Sequence, residues 1–124
     1  MRRGVVFWLT RPDGAVLLRR REEKGLLGGM IEVPSTPWRE ADWDEGEALS
    51  HAPVAAEWEP LPGIVRHGFT HFPLELTIWS ATTDSPRVDI PRGIWARPDQ
   101  FKDYAFPTLT KKVVKHALSV LEGA

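Results

Sequence analysis

Between residues 25 and 38 the chain reads Gly-Leu-Leu-Gly-Gly-Met-Ile-Glu-Val-Pro-Ser-Thr-Pro-Trp. Glycines at 25, 28 and 29 open the segment as a flexible stretch around large apolar residues. Pro34 and Pro37 remove backbone donors and so cut short any strand. What fits is a flexible loop, a short strand over Met30–Val33 stopped by Pro34, and a second, proline-punctuated loop. The segment holds one carboxylate, Glu32.

On the N-terminal side, Gly4–Thr10 is an apolar, β-branched and aromatic run. Arg11-Pro12-Asp13-Gly14 is a turn in which Pro presets φ and Gly accepts a left-handed position. Ala15–Arg20 returns, so the first twenty residues predict a β-hairpin. On the C-terminal side, Asp44-Glu45-Gly46-Glu47-Ala48-Leu49 can start a helix that Gly46 and Pro53 keep short. Leu61-Pro62-Gly63 is a turn, and residues 64–69 and 74–81 read as two strands. In the second, Leu74, Leu76 and Ile78 share one face, with Glu75, Thr77 and Trp79 on the other. A turn at Asp84-Ser85-Pro86, a short strand at Gly93–Ala96 and helical turns over Pro98–Tyr104 follow. Thr108 can N-cap a last helix carrying an apolar stripe of Leu109, Val113, Val114, Ala117, Leu118 and Leu121, ended by Gly123. The fold class is α+β, a mixed sheet with an N-terminal hairpin packed against helices.

At 124 residues the chain fits one domain spanning 1–124. With no cysteine, it offers no disulfide, no thiolate-bound zinc and no ligand for an iron–sulfur cluster. Met1-Arg2-Arg3 and the apolar run after it are too short for a secretion signal, no stretch is long enough to span a membrane, and the cytoplasm is the default compartment. A net charge of −1 argues against binding DNA on bulk charge alone. Its distribution is uneven: residues 40–59 carry seven acidic side chains and no Lys or Arg, leaving 16 basic against 10 acidic elsewhere. These runs read either as an acidic flap beside a basic body or as ordinary solvated faces.

Gly25–Trp38 resembles the entry to a Nudix domain, where such a loop leads to a carboxylate-rich helix that holds Mg²⁺ and cleaves pyrophosphates. Here the carboxylate motif is not completed: Arg39-Glu40 is followed by no adjacent pair of glutamates, and Gly46 separates Glu45 from Glu47. Gly28–Pro34, together with Trp95–Phe101 and Tyr104–Thr108 ahead of an amphipathic helix, resembles instead the C-terminal Nudix-like domain of MutY-type adenine DNA glycosylases. The resemblance spans nearly the whole chain. It implies a Nudix-like fold without hydrolase chemistry, and recognition of 8-oxoguanine opposite adenine in double-stranded DNA. It also implies that the chain is a fragment. The parent's catalytic domain, with a helix-hairpin-helix, catalytic acids and a cysteine-ligated 4Fe–4S cluster, would lie upstream in the same polypeptide and be this domain's partner. No catalytic residue, metal site or cofactor is expected in this chain.

Within that resemblance Phe69-Thr70-His71 matches the family's Phe-Ser-His loop, with Thr in place of Ser. Guanine presents N7 as an acceptor, whereas 8-oxoguanine carries a hydrogen on N7 and an oxygen at C8. A reader needs an acceptor for the first and a donor for the second. The Thr70 hydroxyl offers both, as does a backbone kept accessible by Gly68. Read without the resemblance, the segment is a strand crossing with two buried phenylalanines. Arg20, Arg21, Lys24, Lys111 and Lys112 are candidate phosphate contacts, and Arg66 joins the DNA-facing set; such contacts position a protein without reading sequence. His67 and His71 lack a third metal ligand. Glu32 is expected to accept hydrogen bonds within its own loop. Leu26, Leu27 and Met30 either cap the core or lie against an opened duplex. The alternatives are a free-standing Nudix hydrolase of ordinary or oxidised nucleotides, and a protein-interaction module.

Overall fold

The computed structural model describes residues 1–85, 88 and 90–123. Among the described residues, seven strands form one mixed sheet: β1 (Arg2–Thr10), β2 (Val16–Arg20), β3 (Ile31–Glu32), β4 (Glu59–Pro60), β5 (Val65–Gly68), β6 (Pro73–Thr82) and β7 (Gly93–Ala96). Two α-helices, α1 (Glu45–Leu49) and α2 (Thr108–Glu122), and a 3₁₀ helix at Pro98–Asp103 complete it. The sheet order is β3-β2-β1-β6-β4, with β5 also on β6 and β7 on β2.

β1 is the spine. It pairs in parallel with β6 along its whole length, from Arg2 opposite Leu74 to Thr10 opposite Thr82. Its six central residues, Gly4–Leu9, are all buried, so its sequence is a continuous apolar run rather than an alternating one. Val6 and Trp8 face the main core with Leu74, Leu76 and Ile78 of β6, and α2 closes that face with Leu109, Val113, Val114 and Ala117. Val5 and Phe7 face the other way, toward Ala48 of α1 and the partly buried Trp43, Trp58 and Trp79. The predicted alternation of β6 is seen in its burial.

The hairpin turn forms as expected. Gly14 takes φ +86°, its N–H donating to the Arg11 carbonyl at 2.9 Å. Beyond the one β1–β2 register pair, Thr10 opposite Val16, the strands part. β3 and the chain after it fill the gap: β3 pairs with β2, Val6 bridges Ser35, and Arg3 bridges Arg39. This wedge carries the glycine loop and Glu32 into the middle of the fold. Thr110, buried on α2, donates its hydroxyl to the Ile31 carbonyl at 2.8 Å and ties the helix to the same wedge.

Several local expectations shift. The 64–69 strand shortens to Val65–Gly68, and Ile64 is 42% exposed. Pro107 rather than Thr108 is the N-cap of α2, with extended ψ of 161° and no side-chain cap, while Thr108 enters the helix. Leu121, one turn past the core-facing part of the stripe, is exposed. Asp44 does cap α1, accepting from the Glu47 N–H at 2.8 Å. Pro86 of the predicted Asp84-Ser85-Pro86 turn lies outside the described residues.

Candidate nucleic-acid interface

β5 and β6 are joined by Phe69-Thr70-His71-Phe72, closed by the Phe69 N–H donating to the Phe72 carbonyl at 2.9 Å. Thr70 and His71 thus form a two-residue tip, both exposed, between two phenylalanines that turn inward. Phe69 stacks on Trp38 with ring centroids 5.7 Å apart at 26°, and Phe72 packs against both rings. All three rest on the main core. Arg2 lies 4.2 Å over the Phe72 ring and Arg21 4.9 Å over Trp38. A short, polar tip therefore sits on a fixed aromatic base, which is how an exposed loop gains a defined aim. Gly68, the last residue of β5, is exposed, and a Cβ there would meet nothing within 4 Å. Its lack of a side chain leaves the backbone beside the tip open.

On one side of the hairpin, Lys112 of α2 donates to the Arg66 carbonyl at 3.1 Å and meets His67 Nδ1 at 3.0 Å. Burial holds the His67 pKa below its usual value, and the Lys112 ammonium adds to that shift. Neutral His67 keeps Nδ1 as an acceptor for Lys112, so the geometry and the shift agree. Because the unfolded chain binds this proton more readily than the folded one, the pair's contribution is present above the ordinary histidine pKa and is lost as pH falls below it. In an NMR titration His67 should titrate below pH 6.5, and Lys112→Ala should move it upward; an unmoved midpoint would separate the two residues. Arg66 itself pairs with Glu75 at 3.1 Å, and Lys111 is exposed on α2.

On the other side stands the glycine loop. Glu32 is the most enclosed charged group there, its side chain 13% exposed. One carboxylate oxygen accepts from Arg19 (2.8 and 2.9 Å) and the other from Arg21 (2.8 Å). The expected hydrogen bonds to Glu32 exist, but they come from β2 and its continuation rather than from its own loop. Arg19 and Arg21 are two apart on extended chain and so project to one side. Arg21 is thereby held by Glu32 and Trp38 together. Arg20 points elsewhere and donates to the Gly29 carbonyl at 2.8 Å, bracing the loop, whereas Lys24 is exposed. Leu27 packs on the core with φ +58°, while Leu26 and Met30 are each 44% exposed. The three thus divide between the core and the surface.

Among the described residues, no group of three or more His, Asp or Glu side chains is placed to hold a metal ion. The acidic segment is also partly neutralised: Glu47, whose carboxyl is held down to about 2 chiefly by its hydrogen bond from Arg39, meets that guanidinium at 2.7 Å. No helix of the described residues is long and apolar enough to cross a membrane.

The structure therefore gathers Arg66, Gly68, Phe69, Thr70, His71 and Lys112 at one hairpin. Arg20 ends β2, and Arg21 and Lys24 follow it toward the neighbouring glycine loop, which is linked to the hairpin through the Arg21–Trp38–Phe69 stack. Sequence reasoning missed Trp38 and Arg2. Trp38 ends the glycine-proline segment, and an aromatic placed after Pro37 was the available signal. Arg2 is hidden in a basic lead-in that looks like nothing but a strand start.

The NUDIX domain family matches residues 5–116. The human (Homo sapiens) adenine DNA glycosylase is 30% identical over 111 residues, covering 81% of this chain and 20% of the glycosylase. The chain thus spans about a fifth of that relative's length. The C-terminal domain of mouse MUTYH, solved in complex with human PCNA, superposes with a TM-score of 0.77 at 25% identity, covering 94% of this chain and 87% of that one. The MutT protein from Methanosarcina mazei Go1 superposes nearly as well, at 0.76, but with 11% identity over 98% and 95% of the two chains, a likeness of fold alone. The expected mixed-sheet, Nudix-like architecture is thus the observed one, and the chain belongs to the NUDIX domain family.

Proposed function

We propose that this chain is the 8-oxoguanine-reading domain of an adenine DNA glycosylase that removes adenine opposite the lesion. The observation that carries the reading is the Thr70-His71 tip, exposed at the end of a two-residue hairpin and seated on the Trp38–Phe69–Phe72 base. The similarity to the human adenine DNA glycosylase and to the MUTYH C-terminal domain supports it. Glycosylases extrude the base they cut. An upstream catalytic domain of the same polypeptide, with its own iron–sulfur cluster, would do this to the adenine. This domain would hold the opposite strand and test its purine for the N7 hydrogen and the C8 oxygen. It would supply selectivity and no catalytic group. A nucleotide hydrolase is less well supported, because the carboxylate at the start of a Nudix box, Glu32, has an arginine on each oxygen.

The test is the ratio of adenine-removal rates opposite 8-oxoguanine and opposite guanine, in the full-length parent. Thr70→Ala removes the hydroxyl but leaves the backbone part of the contact, and should reduce the preference by about 1 kcal/mol, roughly fivefold. Thr70→Ser keeps the hydroxyl and should leave the ratio unchanged. An unaltered ratio in folded Thr70→Ala, alone and combined with His71→Ala, would rule this hairpin out as the reader.

A further inference from the structure

Beside the hairpin lies an open cleft of about 570 Å³, walled by Trp38 and Phe72 from the aromatic base and by the glycine loop. This is the place where Glu32 sits, yet its charge is the reverse of what a metal-binding carboxylate site needs. Arg2, Arg19, Arg21, Lys24 and Arg92 line it against only Glu22 and Glu32. Glu32 is satisfied by Arg19 and Arg21. The pair of Arg92 with Glu22, at 3.5 Å and exposed on both sides, is weak and readily exchanged. Arg2 and Lys24 have no carboxylate partner among the described residues; Arg2 contacts the Phe72 ring.

We infer that this cleft binds phosphate, and specifically the DNA backbone of the strand carrying the oxidised base, with Arg2, Lys24 and Arg92 as its phosphate ligands. The inference rests on the lesion-reading function and adds the surface that holds the strand. Three features favour a strand over a free nucleotide. The cations come from three separate elements, the start of β1, the glycine loop and the residue before β7, so they line a path instead of converging on one point. The cleft is open rather than enclosed. It is also continuous, through Phe72, with the tip that would read the base. Arg92 is set in this position by the fold, at φ +59° with its Nε donating to the Arg20 carbonyl at 3.0 Å.

The experiment is a fluorescence-anisotropy titration of the 124-residue chain against duplex DNA containing 8-oxoguanine or guanine, across a salt series. Affinity at physiological salt should be weak, on the order of 10⁻⁴–10⁻⁶ M, so the series begins low. Each phosphate contact removed lowers the slope of log K against log salt by about 0.9. Arg2→Ala with Lys24→Ala should therefore lower the slope by about 2, equally for both duplexes, while the charge-preserving Arg2→Lys with Lys24→Arg should keep it. Lys102→Ala, outside the cleft, should leave it unchanged. An unchanged slope in the Ala pair overturns the inference. So does binding of deoxyguanosine triphosphate that the Ala pair abolishes while DNA binding persists, since that makes the cleft a free-nucleotide site. Loss of lesion discrimination in Thr70→Ala is a separate readout, so the cleft and the reader can fail independently.

Discussion

Replacing Trp8 with alanine should destabilise the domain by about 3–5 kcal/mol, the usual range for emptying a large aromatic site in a packed core. Trp8 is 1% exposed and lies on the spine strand, between α2 and the sheet, with an edge-on contact to Phe101 at 6.4 Å. No neighbour is free to collapse into the space. β1 is held along its whole length by β6, and α2 is anchored to β3 by Thr110. Since small domains have only about 5–15 kcal/mol in total, the variant should lose a large part of its stability. Urea denaturation followed by far-UV circular dichroism would show a lower midpoint with an unchanged slope. Because Trp38, Phe69 and Phe72 rest on the same core, the discrimination proposed for the Thr70-His71 tip should fail with the fold and return when the Trp8 variant is assayed at lower temperature. A loss below about 1.5 kcal/mol would mean that Trp8 is not the keystone its burial indicates.

The parts of this architecture that are readable in sequence are those set by neighbours along the chain. Pro12 and Gly14 specify the first turn, a run without polar breaks marks β1 as buried on both faces, and the alternation of Leu74, Leu76 and Ile78 assigns a face to β6. The pairing of β1 with β6 is invisible at that level, since it joins residues 72 apart in parallel and no local rule selects the partner. The same holds for residues 35–39, which pair with β1 although Pro34 and Pro37 make them look like loop. At the site, Thr70 and His71 can be picked out as a pair, but their two-residue tip depends on the 2.9 Å bond between Phe69 and Phe72 and on the Trp38 stack beneath. Glu32 is a partial case. Two arginines spaced i and i+2 on a strand project together and invite a shared anion, yet which carboxylate reaches them is decided only when β3 wedges against β2.

Glu32→Ala should be the second most damaging change, and for an electrostatic reason. It leaves the Arg19 and Arg21 guanidiniums, each about a quarter exposed, facing each other without a counter-charge. Removing one member of a fully buried ion pair costs about 3–5 kcal/mol; the solvent reaching these arginines lowers that to about 2–3 kcal/mol. Arg19 retains only its 3.3 Å bond to the Ser35 carbonyl, and Arg21 its contact with Trp38. The same variant makes the cleft more positive by one charge. Its non-specific affinity for duplex DNA at low salt should therefore hold or rise while its stability falls, two readouts moving in opposite directions. Glu32→Gln keeps the shape and one acceptor and should lie between wild type and Ala in stability, while its DNA affinity should follow that of Ala because it removes the same charge. A carboxylate serving as a metal ligand behaves differently: its removal relieves repulsion in the metal-free protein, raises stability and abolishes nucleotide turnover. Thermal denaturation without metal, with a Mg²⁺ and 8-oxo-dGTP turnover assay beside it, separates the two. A Glu32→Ala protein more stable than its parent would show that Glu32 is a ligand site and not the counter-ion of Arg19 and Arg21.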